Sequence, residues 1–132
     1  MSIISIDIGT STTKIIEYEN NKIKHKDIMQ NKSTEKVLKE FIDKGSIKQE
    51  KIEQIVLTGI GADKVKLKGY KVPIKVVDEF KAIANAGKTL TDKEKILVVS
   101  VGTGTAFVRV NKNRIKHLGG TRSWCRNAYQ NL

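Results

Sequence analysis

The sequence predicts an α/β protein organised around mixed sheets, and two observations predict it. A strand, a Gly/Thr turn, a second strand, an Asn-rich turn and a third strand occur twice, and the segment between the copies alternates between helix and strand periodicity. In the first copy the strands fall at residues 3–8, 14–18 and 22–28, joined by Gly9-Thr10-Ser11-Thr12-Thr13 and by Asn20-Asn21. In the second they fall at 96–101, 106–110 and 114–118, joined by Gly102-Thr103-Gly104-Thr105 and by Asn111-Lys112-Asn113. The third strands also match, Asn21-Lys22-Ile23-Lys24-His25 against Asn113-Arg114-Ile115-Lys116-His117.

Between the copies, Ser33 is placed to cap a helix whose apolar residues Val37, Leu38, Phe41 and Ile42 share one face, with Gly45 as its end. Residues 52–57 read as a short apolar strand. Thr58-Gly59-Ile60-Gly61 then turns into a short helix around 62–67, followed by a strand at 72–77 and a helix at 78–88 that bears Phe80, Ile83, Ala84 and Ala86. Three antiparallel strands followed by helix, strand, helix, strand and helix describe a mixed sheet with helices on its faces. The polar stretch 90–94 predicts a division into a first half at 1–92, the start of a second half at 93–121, and a tail at 122–132.

The chain of 132 residues carries 25 Lys and Arg against 14 Asp and Glu, a formal charge of +11. The cations are scattered through strands and helices rather than gathered with aromatic partners, so nucleic-acid binding is not expected; a Lys-rich surface does attract anionic ligands such as ATP. No apolar run is long enough for a membrane span, and no basic region precedes a cleavable apolar stretch, so a cytoplasmic protein without membrane association is expected. Cys125 stands alone, which excludes an internal disulfide and a cysteine metal cluster.

Chemistry enters at the first turn. Asp7 ends a strand just before Gly9, where a carboxylate can hold Mg²⁺ through water while Gly9, Thr10, Ser11 and Thr12 approach phosphates; glycine is needed where a side chain blocks close contact. Lys14 is within reach of a phosphate. An ordinary hairpin with a Ser/Thr-rich turn explains the same residues, but the repeat at Gly102, Thr103, Gly104 and Thr105 supplies a second loop, as a clamp on two sides of a polyphosphate requires.

The order of elements resembles the ribonuclease-H-like half of the actin, hexokinase and Hsp70 superfamily. Within it, Asp7-Ile8-Gly9-Thr10-Ser11-Thr12-Thr13-Lys14, Leu57-Thr58-Gly59, Val77-Asp78-Glu79-Phe80, Val101-Gly102-Thr103-Gly104-Thr105 and Gly119-Gly120-Thr121 together resemble type II pantothenate kinase, in that family's order and spacing. The resemblance covers residues 3–121. It implies ATP and Mg²⁺ as cofactors, pantothenate as phosphate acceptor in coenzyme A biosynthesis, Glu79 as general base, Asp7 as the metal-associated carboxylate, and the two Gly/Thr loops with Lys14 on the phosphates. A first-turn Glu that complements the helix dipole is the simpler account of Glu79. On the substrate side the resemblance brings in His117, Gly119 and Gly120, with His117 where the family usually has Arg. A neutral His does not replace a forked guanidinium at a carboxylate, and a solvent-facing strand residue accounts for it equally.

After Thr121 the family continues with glycines at alternate positions, whereas this sequence reads Arg122-Ser123-Trp124-Cys125-Arg126 and ends at Leu132. If Arg122 to Arg126 are encoded AGG-AGT-TGG-TGT-AGG, dropping the first base yields Gly-Val-Gly-Val-Gly. The expectation is therefore a frameshifted or truncated kinase half without turnover of its own, with exposed second-half strands that invite homodimerisation. Other readings are an amino-sugar kinase or a dehydratase activator of the same superfamily, or a non-catalytic binding module. An activator needs cysteines for an iron–sulfur cluster, and an amino-sugar kinase usually has Asp in the base role.

Overall fold

The computed structural model describes residues 1–120, which divide into two compact units, Met1–Val77 and a second that begins at Asp78. The expected tail at 122–132 lies outside the described residues.

In the first unit, β1 (Ser2–Ile8), β2 (Thr12–Glu19) and β3 (Lys22–Gln30) form an antiparallel meander, and β4 (Ile52–Gly59) and β5 (Ile74–Val76) add in parallel, giving the order β3-β2-β1-β4-β5. The β2–β3 turn is tight because Asn20 and Asn21 both take positive φ, 52° and 59°, which asparagine tolerates better than most residues. Helix α1 (Thr34–Gly45) starts where the Ser33 side chain accepts a hydrogen bond from the Lys36 amide at 3.3 Å. It ends one residue later than expected: Ser46, not Gly45, takes the left-handed turn, and Ile47 N donates to Ile42 O at 3.0 Å. Its face of Val37, Leu38, Phe41 and Ile42 covers Ile4, Ile6, Ile15, Ile55 and Leu57, all buried. Each such side chain contributes roughly 1.5–3 kcal/mol by leaving water, so this layer fixes the register of β1 against both neighbours.

Two expected elements in this unit are shorter than the sequence pattern indicates. The helix around 62–67 is a single 3-10 turn, Ala62–Lys64, because Gly61 enters it at φ 68° and the chain then straightens so that Val65 and Leu67 reach the core. A six-residue helix also gains too few hydrogen bonds to offset its nucleation. The strand at 72–77 contracts to Ile74–Val76; Pro73 has no N–H for a ladder, and its carbonyl accepts from Ile55 N at 3.0 Å.

In the second unit, α2 (Glu79–Thr91) is capped by the Asp78 side chain, which accepts from Lys81 N at 3.0 Å. It packs on an antiparallel sheet of β6 (Lys95–Val101), β7 (Thr105–Asn111) and β8 (Arg114–Gly120). Ala84, Val108 and Val110 form the buried centre, with Phe80, Ile83, Ile96 and Val98 around them. The contacts of α2 with β6–β8 put the division between units at Val77/Asp78, where the sequence reading put it after residue 92. Among the described residues no helix is long and apolar enough to cross a membrane.

Candidate functional site

The C-terminal end of β1 gathers the first set of predicted residues. Asp7 pairs with Lys14 on β2 and with Thr58 on β4, so the three lie in a row across adjacent strands on one face of the sheet. Asp7 is partly buried, and that desolvation pushes its carboxyl above the ordinary 3.8, with the Lys14 charge pulling it back. Thr58 Oγ1 is buried without a hydrogen-bond partner, an acceptor and donor left open beside the carboxylate.

Gly9, Thr10 and Ser11 form the β1–β2 turn, and Thr12 opens β2. Gly9 N donates to Thr12 O at 2.9 Å, and a Cβ on Gly9 would stand 2.6 Å from that same oxygen, so the turn closes only around glycine. Asn31, just past β3, holds the turn from the side: its Nδ2 donates to Gly9 O at 2.9 Å and Thr10 O at 2.8 Å, while its Oδ1 accepts from Thr13 Oγ1 at 2.9 Å. In a trans peptide the carbonyl and the following N–H point opposite ways, and no peptide bond among the described residues is cis. Fixing these two carbonyls on Asn31 therefore aims the Thr10 and Ser11 amides away from it, as an anion-binding turn requires. The sequence reading missed Asn31; an Asn one residue beyond a strand that pairs with a Ser/Thr-rich turn is the signal that was there.

The Thr58-Gly59 step supports the same end of the sheet. Gly59 has φ 93°, a Cβ there would run into Ile8 O, and Ile60 N donates to that oxygen at 2.8 Å.

The second set lies in the second unit. Gly102, Thr103 and Gly104 form the β6–β7 turn, closed by Gly102 N donating to Gly104 O at 2.8 Å, and Thr105 opens β7. Glu79 is the first residue of α2, while His117, Gly119 and Gly120 belong to β8. The solvent-facing reading of His117 is corrected: its ring stacks on Phe80 with centroids 4.1 Å apart, and Nε2 is buried without a hydrogen-bond partner. Its counterpart His25 instead meets Glu17 Oε2 through Nδ1 at 2.6 Å. Among the described residues no three His, Cys, Asp or Glu side chains cluster to hold a metal by themselves.

No protein-family model and no curated protein sequence matches the chain. Solved structures do. Component A of the (R)-2-hydroxyglutaryl-CoA dehydratase of Acidaminococcus fermentans aligns over 89% of this chain and 47% of its own, with TM-score 0.69 and 17% identity. The activator of the 2-hydroxyisocaproyl-CoA dehydratase of Clostridium difficile, with bound ADPNP, aligns over 92% of this chain and 45% of its own, with TM-score 0.67 and 19% identity. The ROK hexokinase of Thermus thermophilus aligns over 87% of this chain and 47% of its own, with TM-score 0.62 and 14% identity. The chain thus spans about half the length of these structures. They share its fold, and none of them points to pantothenate kinase in particular. With its five-stranded mixed sheet and second three-stranded sheet, the chain has the α/β fold of the actin-like ATPases.

Proposed function

We propose that this chain supplies the phosphate-gripping elements of an ATP- and Mg²⁺-dependent enzyme of this fold, one that transfers phosphate to a hydroxyl. The observation that carries the reading is the Lys14–Asp7–Thr58 row beside a turn whose carbonyls are held by Asn31. The donor set fits the cofactor: one carboxylate, one buried hydroxyl with no partner, and outward amides. When bound, Mg²⁺ offsets phosphate charge and helps orient the transferred group. Asp7 would accept hydrogen bonds from metal-bound water, Thr58 Oγ1 would take part in the same water network, and Lys14 would hold a phosphate oxygen. The Thr10 and Ser11 amides would face the phosphates, and the Gly102 to Thr105 turn is the second proposed phosphate loop.

Glu79 is the proposed base, taking the acceptor's proton at its carboxylate. The hexokinase neighbour favours a phosphotransferase of this superfamily. The two dehydratase components favour an activator-type ATPase instead. The sequence motifs alone name pantothenate as the acceptor. Because the chain spans about half of its structural neighbours, binding is the first readout and turnover belongs to a longer protein.

The test is calorimetric titration of the 132-residue chain with ADPNP, with and without Mg²⁺. Mg²⁺-dependent binding, in the millimolar range or tighter and lost in Asp7→Asn, supports the reading. Equal binding by Asp7→Asn, or none by the parent chain, contradicts it. An assay of ATP consumption with pantothenate beside hexose controls then separates the acceptors.

A further inference from the structure

The first sheet ends at β5 with hydrogen-bonding groups that no described part of the chain takes up. In the parallel β4–β5 pair, Ile55 N donates to Pro73 O at 3.0 Å and Val77 N donates to Leu57 O at 2.8 Å, with Ile55 opposite Ile74 and Leu57 opposite Val76. Strand alternation then turns residues 73, 75 and 77 toward β4, and the N–H and C=O groups of Ile74 and Val76 outward. β5 is the last strand of its sheet, and none of those outward groups has a hydrogen-bond partner among the described residues. The side chains of Ile74 and Val76 share one face and are 40% and 49% exposed, while Lys75 is exposed on the other.

Charge narrows what this edge accepts. The crossover from β4 into β5, and β5 itself, carry Lys64, Lys66, Lys68, Lys71 and Lys75, all exposed, and residues 64–77 contain no Asp or Glu. Packing forces the arrangement: Val65, Leu67, Tyr70 and Val72 turn to the core, so the lysines between them turn out. Elsewhere in the same unit Lys24, Lys32 and Lys44 each form an ion pair, whereas none of these five does so among the described residues. An uncompensated cationic stretch of this kind attracts an anionic partner. All of these groups lie in Met1–Val77 and none on the second sheet.

We infer that the β5 edge takes up, as an added strand, an extended peptide segment whose side chains alternate between carboxylates on the Lys75 side and apolar groups on the side of Ile74 and Val76. A peptide backbone offers donors and acceptors in the alternation that the outward groups require. A phosphate, whether of nucleic acid or of lipid, accepts from the N–H groups and leaves the Ile74 and Val76 carbonyls open. A second copy of the chain is the poorer occupant, because antiparallel pairing of two β5 edges opposes the two Lys75 side chains, and a three-residue strand behind Pro73 templates little further pairing.

The experiment titrates the 132-residue chain with two synthetic peptides of about eight residues, one alternating Glu with Val and the other Lys with Val. Affinity is read by calorimetry, and pairing by hydrogen exchange at the Ile74 and Val76 amides. The expected result is binding of the Glu peptide at least about tenfold more tightly than the Lys peptide, with slowed exchange at both amides. Val76→Pro is expected to abolish that binding, and Lys71→Glu combined with Lys75→Glu to reverse the preference. Val76→Pro removes an outward N–H and no bond to β4; should it unfold, a Glu peptide N-methylated at every amide takes its place and is expected not to bind. Equal affinity for the two peptides, binding of neither, or binding that survives Val76→Pro overturns the inference. So does a concentration-dependent dimer that Val76→Pro dissociates, which makes a second copy the occupant. Binding of phosphatidylglycerol vesicles or of a single-stranded oligonucleotide through Lys71 and Lys75, with neither peptide bound, overturns it as well.

Discussion

Asp7 and Lys14 stand opposite each other across the β1–β2 pair, and burial outweighs the lysine in setting the carboxyl's acidity. A partly buried carboxylate that its neighbour only partly compensates is a cost to folding, one that the proposed Mg²⁺ would offset.

The pH dependence follows from the sign of that shift. Asp7 binds its proton more tightly folded than unfolded, so its contribution to stability is full below the unfolded value of 3.8 and is lost as pH rises through the folded value. Asp7→Asn removes that loss. The variant is expected to be more stable than the parent at pH 7 and equal to it well below pH 3.8. Urea unfolding of both proteins at the two pH values checks this, and a less stable Asp7→Asn at pH 7 contradicts it.

Asn31 makes three side-chain hydrogen bonds to the first turn and its flank. Asn31→Ala is expected to destabilise the first unit by about 1–3 kcal/mol, since two carbonyls and a hydroxyl lose their partner. It should also raise the Kd for Mg²⁺·ADPNP, because the Thr10 and Ser11 amides are no longer aimed. Hydrogen exchange at residues 9–13 reads the loosening directly; unchanged protection there rules out the pinning role.

Gly59→Ala tests the close approach of β4 to β1. With φ 93° and Ile8 O in the way of a Cβ, the substitution combines backbone strain with a clash. A loss of at least about 2 kcal/mol is expected. Thermal melting of the variant measures it, and a loss below 0.5 kcal/mol indicates that the strands can separate there at little cost.

In the second unit, a Cβ on Gly87 of α2 would collide with Val98 Cγ2 and stand 2.9 Å from Ile96 Cδ1. Gly87→Ala gains helix propensity of about 1 kcal/mol but overpacks the interface by about 1–3 kcal/mol. The net expectation is destabilisation of the second unit. A stabilised variant shows instead that the helix rides farther from β6 than described.

Much of this was legible before any coordinates, for reasons that particular residues make plain. Strand alternation in Ser2–Ile8 and the one-sided face of Val37, Leu38, Phe41 and Ile42 are local patterns, and the structure keeps both. The Gly/Thr turns were found through their glycines, which geometry demands at Gly9. What failed was settled by tertiary context. Residues 65–67 left the expected helix to reach the core, and Pro73 shortened the last strand of the first sheet. Asn31 escaped notice because its partners are more than twenty residues away in sequence, at Gly9 and Thr10. Of the two readings of His117, substrate contact or a solvent-facing strand residue, the second failed because nothing local announces Phe80 as its stacking partner.

The central claim is that the Asp7 row and the Asn31-held turn grip phosphate. The most direct measurement is amide NMR of the 132-residue chain titrated with Mg²⁺·ADPNP, compared with the Asp7→Asn variant. The account predicts saturable shifts at Thr10, Ser11, Lys14 and Thr58 that vanish in Asp7→Asn. Shifts confined to other surfaces, or the same shifts at these four residues in both proteins, contradict it.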